Sequence, residues 1–177
     1  MDTALERQFL DFSAGKLEEL CGRIVKCLGM LDEDRIWMRG SKNENAIGNL
    51  VLHLCGNVRQ WVIAGLGGAA DVRTRDAEFA ALGGVAGGEL AAKLQETVAE
   101  AAGIIRSLTT ERLAARKTIQ GYEVNGMEIV YHVVEHFSMH TGQVLFAAKM
   151  LTGADLGFYR HLQGQAAAAS VKSDGKP

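Results

Sequence analysis

Met127-Glu128-Ile129-Val130-Tyr131-His132-Val133-Val134-Glu135-His136-Phe137-Ser138-Met139-His140-Thr141-Gly142-Gln143-Val144-Leu145-Phe146-Ala147-Ala148-Lys149-Met150-Leu151 runs without a proline and meets Gly153 two residues later. At about 100° per residue, Ile129, Val133, Phe137, Val144, Ala147 and Leu151 share one face, which predicts an amphipathic helix over 127–151. Glycine just past the last periodic residue supplies its stop. Three of the chain's five histidines lie in this run. By the helical wheel, His136 and His140 fall inside the apolar stripe and His132 lies further round, at its edge. Two imidazoles at i and i+4 stack on one helix face and can grip one metal ion.

The same periodicity extends outward. Asp2 or Thr3 can cap a first helix reaching Leu28, with Leu5, Phe9, Phe12, Leu17, Leu20, Ile24 and Leu28 on its apolar face. A short helical turn over 31–35 and a polar loop over 39–45 follow, with Asn43 or Asn45 as the next cap. A second helix over 46–64 buries Ile47, Leu50, Val51, Leu54, Val58, Trp61 and Val62. Gly65 to Gly88 is too long for a tight helical hairpin and predicts a crossover, or a loop with its own role. A third helix over 89–108 carries Leu90, Leu94, Val98, Ala101, Ala102, Ile105 and Leu108. The stretch 117–126 is locally extended and predicts a small hairpin or an irregular arm. Four amphipathic helices are most simply buried against each other, so the expectation is an all-α four-helix bundle. A single domain covers 1–162, and 163–177 is expected to be a flexible tail.

Composition narrows the function classes. A net charge of −2 with 23% charged residues leaves no basic surplus for nucleic acid. Polar residues and glycines interrupt every apolar run before membrane-spanning length, and the early acidic residues are unlike a signal peptide. Cytoplasmic location is the expectation. Cys21, Cys27 and Cys55 form no CxxC pair, which fits reduced thiols packed as small apolar groups.

A buried imidazole needs a polar partner. Two readings stay open for the pair on the fourth helix: a buried carbonyl or hydroxyl satisfies each ring, or an ion does. His53 sits off the centre of the second helix's stripe, where it suits either a helix–helix seam or partial exposure. Two known metal chemistries fail on spacing. A di-iron bundle needs Glu-x-x-His motifs, and no glutamate stands three before His132, His136 or His140. A zincin needs a glutamate directly after its first histidine, where this chain has Phe137. Arg73 and Arg75 read as an anion site or as solvated loop residues. Asn57, Trp61 and Tyr122 read as pocket lining or as packing and capping, and His132 and Gln143 join the candidate lining.

His53-Leu54-Cys55-Gly56-Asn57-Val58-Arg59-Gln60-Trp61, then Arg73-Thr74-Arg75-Asp76-Ala77-Glu78-Phe79, then His132 through His140-Thr141-Gly142-Gln143 resemble the DinB-like superfamily. The likeness covers roughly residues 5–162 and is closest to a branch of uncharacterised bacterial proteins. It implies an up-down-down-up bundle with long crossover connections, often homodimeric, and a divalent metal (zinc, nickel or iron) held by His53, His136 and His140. It also implies an enzyme transferring a low-molecular-weight thiol, such as bacillithiol, mycothiol or glutathione, to a small electrophilic substrate. A noncatalytic, stress-associated metal-binding homodimer and a metal-dependent hydrolase are the competing readings.

Overall fold

The computed structural model describes residues 3–162, and its first helix, α1 (Ala4–Leu28), starts by reciprocal capping. Thr3 Oγ1 accepts from the Glu6 amide at 3.1 Å, and the Glu6 carboxylate accepts from the Thr3 amide. Leu10, Ala14, Leu17, Cys21, Ile24 and Leu28 form its buried stripe. Leu5 and Phe12, expected on that stripe, are exposed instead. Phe12 stands two residues, or about 200°, from Leu10, so the 3–4 spacing that begins at Leu10 turns it outward.

Asp32 caps the short α2 (Glu33–Ile36) by accepting from the Arg35 amide. Then α3 (Ile47–Val58) continues directly into a π-helical turn, Arg59–Ala64. Neither Asn43 nor Asn45 caps α3; both are exposed, and Asn49 Oδ1 reaches back to accept from the Ala46 amide at 3.0 Å. Every apolar residue expected inside this helix is buried. The connection Gly65–Gly88 is not structureless, because it holds α4 (Arg75–Ala80). Next come α5 (Gly87–Arg106) and α6 (Thr110–Ala114). The expected hairpin is β1 (Arg116–Ile119) paired antiparallel with β2 (Tyr122–Asn125), Ile119 opposite Tyr122. Gln120 and Gly121, at φ 54° and 81°, form its two-residue turn.

The last helix, α7 (Gly126–Thr152), is capped by Asn125, which accepts from the Glu128 amide at 2.9 Å. Gly153, at φ 65°, ends it in the left-handed region that side chains disfavour. Gly153→Ala is therefore expected to cost about 1–2 kcal/mol. Thermal melting should read this as a midpoint several degrees lower; an unchanged midpoint would contradict the capping argument.

Helix α1 packs on α5 and α7, and α3 packs on the same two. Arg7, at the start of α1, donates to the carbonyls of Arg106 and Leu108 at the far end of α5, so those helices run oppositely. Arg59, just past α3, pairs with Glu100 late in α5, and Gly67 abuts Ile104, so α3 and α5 advance together. His53 and Trp61 meet His136 and His132 in reverse order, so α3 and α7 are antiparallel. Leu17, Leu54, Leu94 and Phe137, one from each long helix, belong to one continuous core. Among the described residues no helix is long and apolar enough to cross a membrane. The tail expected over 163–177 lies outside the described residues.

Candidate metal centre

The seam between α3 and α7 brings His53, His136 and His140 together, one ring nitrogen of each lying within 4.8 Å of the others. Burial is the reverse of what the wheel implied. His53 is buried at 5% exposure, while His136 and His140 are half-buried. Phe137 and Thr141 occupy the centre of the α7 stripe, and one residue back from each places the imidazoles on its flank. His132 shares that flank and stacks on His136 at 5.5 Å between ring centroids, yet it is outside the triad. Its other neighbour is Trp61, at 4.2 Å.

The long connection supplies what the sequence reading missed. Glu78, on α4, accepts from His53 Nδ1 at 3.0 Å. Arg73 grips the same carboxylate with two parallel bonds of 2.8 Å, Nε to Oε1 and Nη2 to Oε2. The Arg73 side chain is only 4% exposed, so it is neither an anion site nor a solvated loop residue. Paired with a guanidinium as a carboxylate, Glu78 is an acceptor. With Glu78 as the acceptor, His53 carries its proton on Nδ1 and Nε2 presents a lone pair to the seam; Arg73 Nη2 also lies 3.1 Å from Nδ1. At the other end of the cluster, His140 Nδ1 donates to Gln143 Oε1 at 2.6 Å, which fixes that ring in the same sense.

Three further groups hold this arrangement. Asn49 Nδ2 donates to the carbonyls of Glu78 and Ala81, at 2.9 and 2.8 Å, tying α4 onto α3. Arg39 adds bonds to the Phe79 and Ala81 carbonyls. Gln60, in the π-helical turn, accepts from Arg73 Nη1 at 2.9 Å. A π-turn shifts the side chains beyond it round the axis. Here adjacent residues serve opposite sides: Gln60 steadies Arg73, and Trp61 covers His132.

Burial pushes the His53 imidazolium below its usual range and outweighs the raising effect of Glu78. Burial, then the neighbouring His140, His53 and His132 rings and Arg73, lower His136 to about 3. Burial lowers His132 as well. Neutral imidazoles at neutral pH are what a metal ligand requires. The spacing also fits an ion. His53 Nε2 and His136 Nε2 are 2.9 Å apart, and nitrogens bound cis to one ion at bond lengths of about 2.1 Å stand roughly 3 Å apart. Two lone pairs at that distance repel unless a proton or a cation lies between them.

No cysteine joins the cluster. Burial raises Cys21 to about 11 and Cys55 to about 12, so both behave as apolar groups, as expected. A cleft of about 600 Å³ opens on the far side of Glu78 between α3 and α5. It touches Arg73 and Glu78 but none of the histidines.

A crystal structure of a conserved protein from Enterococcus faecalis shares this fold at a TM-score of 0.67. That alignment covers 87% of this chain and 99% of the other, at 13% identity, and so speaks to the fold alone. No curated protein matches the chain. Residues 4–162 match the family described as Protein of unknown function (DUF1572), and the chain belongs to that family.

Proposed function

We propose that the chain is a divalent-metal-dependent enzyme of the DinB-like type, with its four long helices in an up-down-down-up bundle. His53, His136 and His140 are its metal ligands, and its reaction transfers a low-molecular-weight thiol to a small electrophile. The observation that carries this is the approach of His53 Nε2 to His136 Nε2 at 2.9 Å, with Nδ1 of His53 set against the Glu78 carboxylate that Arg73 grips. A buried carboxylate behind a histidine is the usual support of a metal ligand. A satisfied core histidine has no use for two more buried charges.

The bundle reading rests on the packing of α1 and α3 against α5 and α7 and on the helix directions given above. Three neutral imidazoles leave a divalent ion its full charge and open positions, which suits zinc, nickel or iron. Such an ion supplies the positive charge that makes a thiol acidic near neutral pH. The chain's own residues do the rest. Glu78 and Arg73 orient His53, Gln143 orients His140, and Trp61 and His132 wall the seam. By the same likeness the protein acts as a homodimer.

Metal-reconstituted protein given a panel of small thiols and a generic aryl halide should consume thiol. Chelation should stop the reaction and added metal should restore it. Metal uptake without metal-dependent thiol consumption would reduce the protein to a metal-binding one. Turnover of an ester by water alone, without thiol, would redirect the reading to hydrolysis.

A further inference from the structure

Three buried side-chain polar atoms have no hydrogen-bond partner among the described residues: Arg39 Nε and, four residues apart from each other, Asn57 Oδ1 and Trp61 Nε1. Asn57 and Trp61 are each only 4% exposed. Buried polar groups in native proteins are nearly always paired, and an orphan costs stability. The orphans of Asn57 and Trp61 stand on one face of the helix that carries His53. Asn57 comes one turn after His53, and Trp61 follows within the π-helical turn. Their neighbours say where that face looks. His53 meets His136, Trp61 meets His132, and those two rings stack on each other one turn apart on α7. Asn57 stands between His53 and Trp61 in the helix, four residues from each, and so on the same side as these two contacts.

Of these two, one orphan is an acceptor and the other a donor. A single group satisfies both if it donates and accepts at once, which a hydroxyl or a secondary amide does and a hydrocarbon does not. The half-buried imidazoles of α7 leave the seam open on their side. We propose that Asn57 Oδ1 and Trp61 Nε1 form a polar subsite beside the metal ligands, selecting a thiol that bears a hydroxyl or amide group near its sulfur. This rests on the metal-centre reading above. It adds a ligand class and two specificity-determining residues that contact the ligand away from the ion.

The test uses full-length protein loaded with cobalt(II), whose charge-transfer absorption reports thiolate coordination directly. Three thiols serve as probes: 2-mercaptoethanol for the hydroxyl, N-acetylcysteamine for the amide and 1-propanethiol for neither. One well-made hydrogen bond is worth about tenfold in affinity. With affinities referred to the thiolate present, which corrects for the greater acidity of the polar thiols, wild type should bind at least one of them about tenfold more tightly than propanethiol, and the stronger of the two names the group. Asn57→Leu and Trp61→Phe should each reduce that preference about tenfold while leaving cobalt content unchanged. Asn57→Leu removes an orphan and should not melt below wild type, whereas Trp61→Phe also leaves a small cavity and is judged by its cobalt loading. Full cobalt loading with no preference, or a preference that survives both substitutions, overturns the subsite and leaves the metal centre standing. Failure to take up cobalt overturns the metal centre and the subsite with it.

Discussion

Untagged protein is expected to carry about one equivalent of divalent metal, and His136→Ala/His140→Ala less than about a tenth of that. Two of three ligands are removed, whereas loss of a supporting group alone already weakens such sites by about 10–100-fold. The variant should still fold. Both imidazoles are half-buried on the flank of α7 rather than in its core, and alanine is the better helix former by roughly 0.5 kcal/mol per site. A circular dichroism spectrum matching wild type would separate loss of metal from loss of structure.

Chelation gives the companion measurement. An ion bound by the folded state alone stabilises it, and removing the ion must lower the melting midpoint. At a free concentration a hundredfold above Kd the contribution is about 2.7 kcal/mol, or roughly 5–10 °C for a domain of this size. The double variant, having no site, should melt at one temperature with or without chelator. Equal metal content in wild type and variant would end the three-histidine assignment.

The helices could be read from the sequence because their signals are local. The stripes of the second and third expected helices, the Gly153 stop and the Gln120-Gly121 turn each follow from neighbours within a few residues. The candidate pair on α7, His136 and His140, was readable for the same reason, since four residues fix their shared face. What could not be read is set by contacts between distant parts of the chain. Glu78 lies 25 positions from His53, and nothing in its immediate sequence separates a buried carboxylate from a solvated one. Arg73 looks like a loop cation until its partner is known. The wheel placed His136 and His140 centrally because it weighed Ala147 and Leu151 as core. The packing around Phe137, Thr141 and Ala148 rotates the stripe by about one residue. A π-turn has no periodic signature in so short a segment, so the different duties of Gln60 and Trp61 were hidden as well.

Gly56→Ala should weaken metal binding about 10–100-fold although residue 56 touches no ligand atom. On an ordinary helix this change gains about 1 kcal/mol. Here the added methyl would overlap Glu78 Oε1 and come within 2.7 Å of Glu78 Cδ and 2.9 Å of Arg73 Nε. A flexible carboxylate would swing aside at little cost. This one is buried and held from two sides, by Arg73 and by His53. Disrupting a buried ion pair costs about 3–5 kcal/mol when one partner is left alone, so the clash outweighs the helical gain and the protein is destabilised. The route to the metal runs through the displaced carboxylate, which releases the Nδ1 proton of His53 and with it the orientation of Nε2. Glu78→Gln should reproduce the loss by a different path, since a neutral amide neither balances Arg73 nor dictates the tautomer. Acting through one contact, the two changes must not add. Competition against a chromophoric chelator should give the Gly56→Ala/Glu78→Gln double variant a Kd close to that of the weaker single variant. Multiplied losses would mean that Gly56 and Glu78 act independently, and the close approach of α4 to α3 would then have no part in holding the metal.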